Sequence, residues 1–296
     1  MLRYITGNGE IVDLDDYAVG NTVWEIFGRT GAAAPPVEFT DETLATGYTE
    51  TLALRVLPRD LTIPILIRGV STAHRDQVLR RITQGLIAHG FRRAAGRLMV
   101  AAADGRSAYL NCVYSGGLES VSDEDPLIYR ATLNFHAADP YWYDDKAQEF
   151  LLSDPAQSGL YFGDRFYFGD STFFLGGLYN DTVQFENEGE TVYPVVTVVG
   201  PIERLRIEQV GAFFTLIEGF KLEAGEILRI DFQDRTRGIQ LTRVGGTTED
   251  VTHFLAPGAT LIFPFRSGPN QLKLTYSGVN AETTIKVEYR IKRFSL

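Results

Sequence analysis

Apolar and polar residues alternate with a period of two along much of the chain, which is typical of half-buried β-strands. Between Thr51 and Leu57 the even positions are apolar, and Arg55 stands among the odd positions. Proline cannot donate to a sheet, so Pro58 and Pro64 are expected to limit how far the neighbouring strands extend. Further strand candidates are 22–27, 49–57 and 61–68.

The second half of the chain consists of short apolar runs separated by turn residues. From residue 183 onward, glycine and proline supply most of the breaks, as at Gly200-Pro201, Gly245-Gly246 and Pro257-Gly258. Many short strands with regular turn signals are typical of a β-sandwich or a jelly roll. The sequence therefore predicts a mainly β protein, with one prominent helix in its first half.

That helix is predicted by a change of period. Val78, Ile82 and Leu86 recur every four residues, which places them on one helical face. Ser71 can cap the start of the helix, and Gly90 can end it.

Arginines gather on the other side of this helix and just after it. The candidates for a subunit contact are Arg75, Arg80, Arg81, Arg92 and Arg93. A solvated helix face is the simpler interpretation. The alternative is a basic face that meets an acidic surface of a neighbouring subunit, because guanidinium groups pair well with carboxylates.

A short aromatic repeat lies between the two halves. Tyr161-Phe162-Gly163-Asp164 recurs as Tyr167-Phe168-Gly169-Asp170. Aromatic side chains are enriched in cores and at interfaces. The repeat therefore indicates either strands that cover the second domain or a contact with a subunit or partner, for which Tyr161, Phe162, Tyr167 and Phe168 are the candidates.

Composition and charge exclude several classes of protein. The hydrophobic fraction of 44% and the charged fraction of 22% are ordinary for a globular protein. The net charge of −10 argues against tight binding of DNA or RNA. The single cysteine, Cys112, cannot form an intrachain disulfide, and neither a signal peptide nor a transmembrane helix is expected.

The residues that enzymes use do not form a recognisable pattern. The four histidines, His74, His89, His136 and His253, are scattered, and none stands at metal-ligand spacing from Cys112. Nucleotide-binding loops and nucleophile elbows are missing from the sequence. We therefore expect a protein that is not an enzyme and that holds no cofactor and no metal.

Three groups of segments, in order along the chain, together resemble the distal tail (Dit) protein family of siphophage-type tails. The first group is 57–64, 96–100 and 104–106, and the second is 114–119, 131–135 and 138–143. The third group is 185–190, 193–196, 200–201, 222–226, 230–231 and 254–258. The most specific parts are Asp-Pro-Tyr-Trp-Tyr at 139–143, Leu-Glu-Ala-Gly-Glu at 222–226 and Ile-Asp at 230–231.

The resemblance implies an architecture and a role. It implies an N-terminal belt domain of strands plus a helix at 1–149, an aromatic-rich linker at 150–182, and a galectin-like β-sandwich at 183–296. Six belts would close a homohexameric ring at the tip of a phage tail. The implied partners are the tail tube protein, the tail hub, the tape-measure protein and a receptor-binding protein, while DNA passes through the channel without specific binding. The implied location is the virion.

Two further expectations concern contacts. The segment at the end of the predicted belt is expected to pack at the junction between the belt and the linker, with a ligand or receptor contact as the alternative. Its residues are Asp139, Pro140, Tyr141, Trp142 and Tyr143.

The competing function is a carbohydrate-binding adhesion module that recognises a host saccharide. Both tryptophans, Trp24 and Trp142, precede the predicted sandwich, which weakens that alternative.

Overall fold

The computed structural model describes residues 2–14, 23–25, 29–43, 49–87, 96–101, 105–118, 125–153, 179–217, 219–280 and 282–295. These residues are mostly in β-strands, with one α-helix among them, so the predicted fold class is confirmed. The chain divides into two compact units. Unit 1 is Met1–Lys146 together with Lys292–Leu296, and unit 2 is Ala147–Ile291.

Unit 1 contains eleven of the described strands and the helix. The first six strands are β1 (Leu2–Ile5), β2 (Ile11–Asp13), β3 (Val23–Glu25), β4 (Val37–Thr43), β5 (Thr49–Val56) and β6 (Arg59–Arg68). After helix α1 (Thr72–Ile87) come β7 (Gly96–Ala101), β8 (Ser107–Gly116), β9 (Ile128–Ala137) and β10 (Trp142–Asp144).

Unit 2 contains the next ten described strands. They are β11 (Gln148–Ser153), β12 (Tyr179–Asn187), β13 (Val195–Val199), β14 (Arg204–Gln209), β15 (Ala212–Thr215), β16 (Ile227–Asp231), β17 (Gly238–Thr242), β18 (Thr248–Asp250), β19 (Gly268–Ser277) and β20 (Thr284–Tyr289). A short 3₁₀ helix, Thr252–Phe254, follows β18. The chain then returns to unit 1 as β21 (Lys292–Arg293).

The sheet of unit 1 has the order β2-β1-β7-β8-β9-β6-β3. Strand β8 has three partners: residues 107–112 pair with β7, residues 108–110 also pair with β10, and residues 113–116 pair with β9. The longest pairing in this sheet is between β6 and β9, which are antiparallel over ten residues with Ile63 opposite Leu133. Alternate side chains of both strands point into the core, as the period of two predicts.

Helix α1 packs its predicted face onto this sheet. Val78, Ile82 and Leu86 are buried in the same core as β6. The Ser71 hydroxyl accepts a hydrogen bond from the His74 amide, so Ser71 caps the helix as predicted. Gly85 lies against Val12 so closely that a Cβ atom would clash, which lets the helix approach β2. Gly90, the predicted end of the helix, lies outside the described residues.

The expectation that Pro64 limits its strand is wrong, because β6 continues from Arg59 to Arg68. On one side of Pro64, the strand pairs with β9. On the other side, the described residues of β3 pair with β6 as far as Ile65, and the next described contact is an isolated bridge at Thr62. None of the described residues on that side is paired with Pro64, so none of them requires its missing amide proton.

Unit 2 is built from two antiparallel sheets around one core. The six-stranded sheet has the order β11-β20-β13-β16-β17-β18, and the four-stranded sheet has the order β12-β19-β14-β15. Side chains from both sheets contribute to the core, including Val198 and Leu228 from the first sheet and Ile207 and Leu274 from the second. This is the sandwich arrangement that the short runs and turns predict.

Candidate assembly surfaces

A buried arginine organises one side of unit 1. Arg59, the first residue of β6, is only 1% exposed. Residues 29–36 are called the strap here. The strap contacts β6 through an antiparallel β-bridge between Thr30 and Thr62. The Arg59 Nη1 atom donates to the strap carbonyls of Gly31 at 3.1 Å and Ala33 at 2.8 Å, and more weakly to that of Ala32 at 3.4 Å. The cation therefore holds the strap by its backbone.

The same guanidinium also binds the segment from residue 292 onward, which returns to unit 1. Its Nη2 atom donates to the Phe294 carbonyl at 2.7 Å. Within the described ranges, no carboxylate pairs with Arg59, and its Nε atom has no hydrogen-bond partner. Burial disfavours the charged form and lowers the pKa of Arg59 to about 10. Carbonyl dipoles rather than an acid therefore stabilise this cation.

Trp142 is the second residue that fixes the strap. It is 1% exposed, and its indole Nε1 donates to the Ala32 carbonyl at 3.2 Å. Its backbone lies between Leu110 of β8 and Arg293 of β21. Trp142 thus joins the strap, the sheet and the returning strand at one point.

The residues on either side of Trp142 in the sequence contact strand β21, Phe294 and strand β8. The Tyr141 ring contacts the Phe294 ring at 5.3 Å between centroids, and the Lys292 ammonium lies 3.7 Å from the Tyr141 centroid. Tyr143 stacks on Tyr109 and donates a hydrogen bond to Asp139 at 2.8 Å. Pro140, which lies between Asp139 and Tyr141 in the sequence, is buried. In unit 1, the segment predicted to pack at a junction thus contacts β8 and the residues from 292 onward.

The strap leads into a hairpin that is exposed on both faces. Among the described strands, β4 and β5 pair only with each other, and a hydrogen bond from the Leu57 amide to the Pro36 carbonyl closes their base. Phe39 and Leu54 face each other across this hairpin and are 56% and 57% exposed. Val37, two residues before Phe39 and so on the same face, is 43% exposed. We call this hairpin the arm.

The exposed face of α1 carries two of the predicted arginines. Arg80 and Arg81 are exposed and form no ion pair with another described residue. Arg75 instead bonds to its neighbour Asp76, at 2.6 Å and 2.9 Å, and to the Pro126 carbonyl. Arg92 and Arg93 lie outside the described residues, as do Tyr161, Phe162, Tyr167 and Phe168 of the aromatic repeat.

Sequence reasoning missed the burial of Arg59 and the exposure of the arm, although 32–36 was predicted as an extended loop or arm and 49–57 as a strand. A lone arginine beside Pro58 and Asp60 gives no signal of burial, since arginine is usually exposed. The arm alternates like any half-buried strand, so its pattern predicts a covered face, and the described residues of unit 1 do not provide that cover. The available signal would have been a strand that follows a proline-rich loop and whose apolar residues have no nearby segment to cover them.

In the described part of the chain, side chains that could bind a metal ion are not grouped. Among the described residues, no three of His, Cys, Asp and Glu lie close enough to hold a metal ion. Burial raises the pKa of the Cys112 thiol to about 12, which keeps it protonated and unreactive. His136 contacts Asp60 at 2.8 Å, and both side chains are largely exposed. The α-helix in the described part of the chain is too short and too polar to span a membrane.

Unit 2 contains a cavity of about 390 Å³ beside the β14–β15 hairpin. Buried Ile202, Leu205 and Leu228 form part of its lining, with Phe220 beside them. At its rim, Glu203 pairs with Lys221 at 2.9 Å. The cavity combines an apolar interior with charged groups at the edge, as small-molecule sites do.

Solved structures of phage tail components are similar to the whole chain. The crystal structure of the Dit protein of phage SPP1 matches over 98% of this chain and 99% of its own, with a TM-score of 0.63 and 13% identity. That protein is described as a paradigm of the hub adsorption apparatus in phages that infect Gram-positive bacteria.

The chain has the fold of a phage Dit protein.

Two structures of the phage P2 baseplate in its activated conformation agree with this. The structure with Ca matches over 95% of this chain and 99% of its own, with a TM-score of 0.50 and 9% identity. The structure with Sr matches over 98% of both chains, with a TM-score of 0.52 and 9% identity. No family model and no curated protein matches the chain by sequence. The resemblance to Dit proteins is therefore confirmed at the level of the fold.

Proposed function

We propose that the chain is a structural protein of a bacteriophage tail tip or baseplate. In this proposal six copies form a ring that joins the tail tube to the hub and the receptor-binding apparatus, around the channel for the tape-measure protein and DNA. The observation that carries the proposal is the likeness to the SPP1 Dit protein over nearly the full length of both chains. Residues 1–149 act as the belt, 150–182 as the linker, and 183–296 as a galectin-like domain.

The surfaces of unit 1 support assembly with other copies. A two-stranded hairpin is marginally stable alone in water, and the arm exposes large apolar residues on one face. Arg59 and Trp142 hold the strap at its root, so the arm leaves the unit from a fixed point. A surface that is rigidly presented and apolar is suited to a protein partner.

The net charge fits a channel that DNA crosses without adhering. Six copies carry a formal charge of 6 × −10 = −60. Carboxylates that line the bore would repel phosphates and keep passing DNA from binding. In a phage that carries this protein, replacing bore-lining acids by lysine is expected to slow DNA ejection; unchanged ejection would contradict this part of the proposal.

The ring is tested directly by its mass and shape. Native mass spectrometry of the purified chain is expected to give a species of about 197 kDa, which is six times 32.9 kDa. Class averages from electron microscopy are expected to show a closed ring with a central hole. A chain that stays monomeric at every concentration, or that forms only open filaments, would contradict the proposal.

A carbohydrate-binding adhesion module of a virion or injection system is the second candidate. It is favoured by the unit 2 cavity, where the ring of Phe220 lies near Glu203 and Arg204. Aromatic faces and paired charges suit a saccharide. Binding of the full chain to a glycan array, lost in Phe220→Ala, would support this candidate. An array without any bound glycan would contradict it and leave the ring proposal untouched.

A further inference from the structure

The cavity of unit 2 lies where strand β14 and its neighbour separate. Strand β15 pairs with β14 as far as the pair of Arg206 and Thr215. The next described contact along this edge is the bridge between Ile202 and Leu222. Between these two contacts the backbone turns away from β14, and Leu216 forms a bridge with a different segment of unit 2. The separation leaves a space of about 390 Å³ beside the start of β14.

Apolar side chains form the interior of this cavity. Ile202, Leu205 and Leu228 are at most 4% exposed, and the Phe220 ring stands beside them. The Thr215 hydroxyl also lies in the lining, but it already donates to the Leu205 carbonyl at 2.9 Å. Each hydroxyl of a buried saccharide would need a hydrogen-bond partner of its own. The interior is therefore better suited to a hydrocarbon.

The charged groups stand at the entrance and leave it positive. The charged residues of the lining are Glu203, Arg204 and Arg206, which give a net charge of 2 − 1 = +1. Lys221 pairs with Glu203 at 2.9 Å, and Glu208 pairs with Arg206 at 2.6 Å, so these two partners add one charge of each sign. The entrance thus keeps its charge of +1 in a protein whose net charge is −10. Positive charge at an apolar cleft attracts anions.

The size of the cavity limits the length of its ligand. A water molecule occupies about 30 Å³ in the liquid, so the cavity of about 390 Å³ holds roughly 13 atoms of that size. A carboxylate with an unbranched tail of about eight to ten carbons has this size. We propose that the cavity binds an amphiphile with one aliphatic tail and an anionic head, the tail inside and the head beside Arg204. The site belongs to unit 2 alone and does not depend on the ring.

A tryptophan at the cavity reports on binding. Both tryptophans of the protein belong to unit 1, so Phe220→Trp introduces a fluorescent side chain into the lining of a unit that otherwise has none. Titration of the full-length variant with octanoate, below the concentration at which octanoate forms micelles, is expected to shift its emission to shorter wavelength. Val210→Trp is the matched control, because Val210 is 84% exposed just beyond the other end of β14. Its emission is expected to stay unchanged.

The length of the tail tests whether it enters the cavity. Each methylene that leaves water contributes about fourfold in affinity. Affinity is therefore expected to rise about tenfold from hexanoate to octanoate, and to stop rising in tails longer than about ten carbons, which fill the space. Isothermal titration calorimetry of the unmodified protein gives the same comparison without any substitution. Equal affinity for hexanoate, octanoate and decanoate would overturn the proposal.

The head group tests the charge at the entrance. Octanoate is expected to bind more tightly than octanol, which has the same tail and no charge. Arg204→Gln is expected to weaken the binding of octanoate by about two- to fivefold, the size of an exposed ion pair, and to leave octanol unaffected. The control is Arg266→Gln, which removes another exposed arginine of unit 2. Equal affinity for octanoate and octanol would show that the ligand is not an anion.

Two sources of the ligand are separated by a last comparison. Monomeric decanoate and vesicles of phosphatidylglycerol are each added to the Phe220→Trp variant. A shift with decanoate alone indicates a free amphiphile, and a shift with both indicates that the cavity also accepts a tail from a membrane. A shift with vesicles alone would overturn the single-tail site in favour of contact with a bilayer surface. No response to any carboxylate, by fluorescence or by calorimetry, would overturn the proposal and leave the ring untouched.

Discussion

Two antiparallel strand pairs of unit 1 both alternate apolar and polar residues, but their environments are opposite. In the pair of β6 and β9, the inward residues Ile63 and Leu133 are completely buried. In the arm, Phe39 and Leu54 occupy equivalent cross-strand positions and are more than half exposed. Alternation of apolar and polar residues therefore specifies a strand with one face to be covered, but not whether the same chain or another one covers it.

The largest expected effect concerns the covered pair. Replacing Ile63 by Ala leaves a cavity in a close-packed core, which should lower the free energy of unfolding of unit 1 by about 2–5 kcal/mol. Both tryptophans of the chain belong to unit 1, so fluorescence-detected urea unfolding reports on this unit. A loss below about 0.5 kcal/mol, the range of ordinary surface substitutions, would contradict the central role of β6.

The next effect concerns the residue that links the two pairs. Arg59→Met keeps the side-chain length but removes every donor, and so leaves the carbonyls of Gly31, Ala33 and Phe294 without this partner. A carbonyl that loses its hydrogen-bond partner costs about 1–3 kcal/mol where it is shielded from water, while removing a buried charge returns part of that loss. We expect a net loss of about 2 kcal/mol by the same fluorescence measurement. A variant more stable than the original chain would show that the buried cation destabilises the fold and does not stabilise the strap.

A smaller effect is expected at the second support of the strap. Trp142→Phe retains a large aromatic ring but loses the hydrogen bond to the Ala32 carbonyl, which is worth about 1 kcal/mol. Trp24 remains as the fluorescent probe. Faster amide hydrogen exchange at Leu57, which closes the base of the arm, is expected as well. Unchanged exchange there would mean that the strap does not anchor the arm.

The smallest effect is expected on the arm itself. Phe39→Ala removes an exposed side chain, so monomer stability should change by no more than about 0.5 kcal/mol. The measurement requires a protein concentration at which the chain is monomeric. At higher concentration the same variant should assemble less readily than the original chain. A large loss of stability in the monomer would show that Phe39 packs within its own chain.

Local patterns allowed the fold class, the helix and the capping role of Ser71 to be predicted, because each depends on residues close in sequence. Pro64 could not be judged in the same way, since its tolerance depends on where β3 ends. Arg59 was harder still. Its burial requires carbonyls from the strap and from Phe294, which is 235 positions away. The packing of Asp139–Tyr143 at the junction between the belt and the linker stays a prediction, and the contact of Tyr141 with Phe294 has no sequence signature.

The strand that returns to unit 1 also determines when this unit can finish folding during synthesis. Lys292 and Arg293 pair with β10, and Phe294 supplies an acceptor to Arg59, yet all three are translated after the whole of unit 2. A nascent chain therefore cannot complete its first sheet while the ribosome is still adding the second unit. Prematurely terminated products would lack the strand that pairs with β10, which gives proteases a simple mark of an unfinished protein.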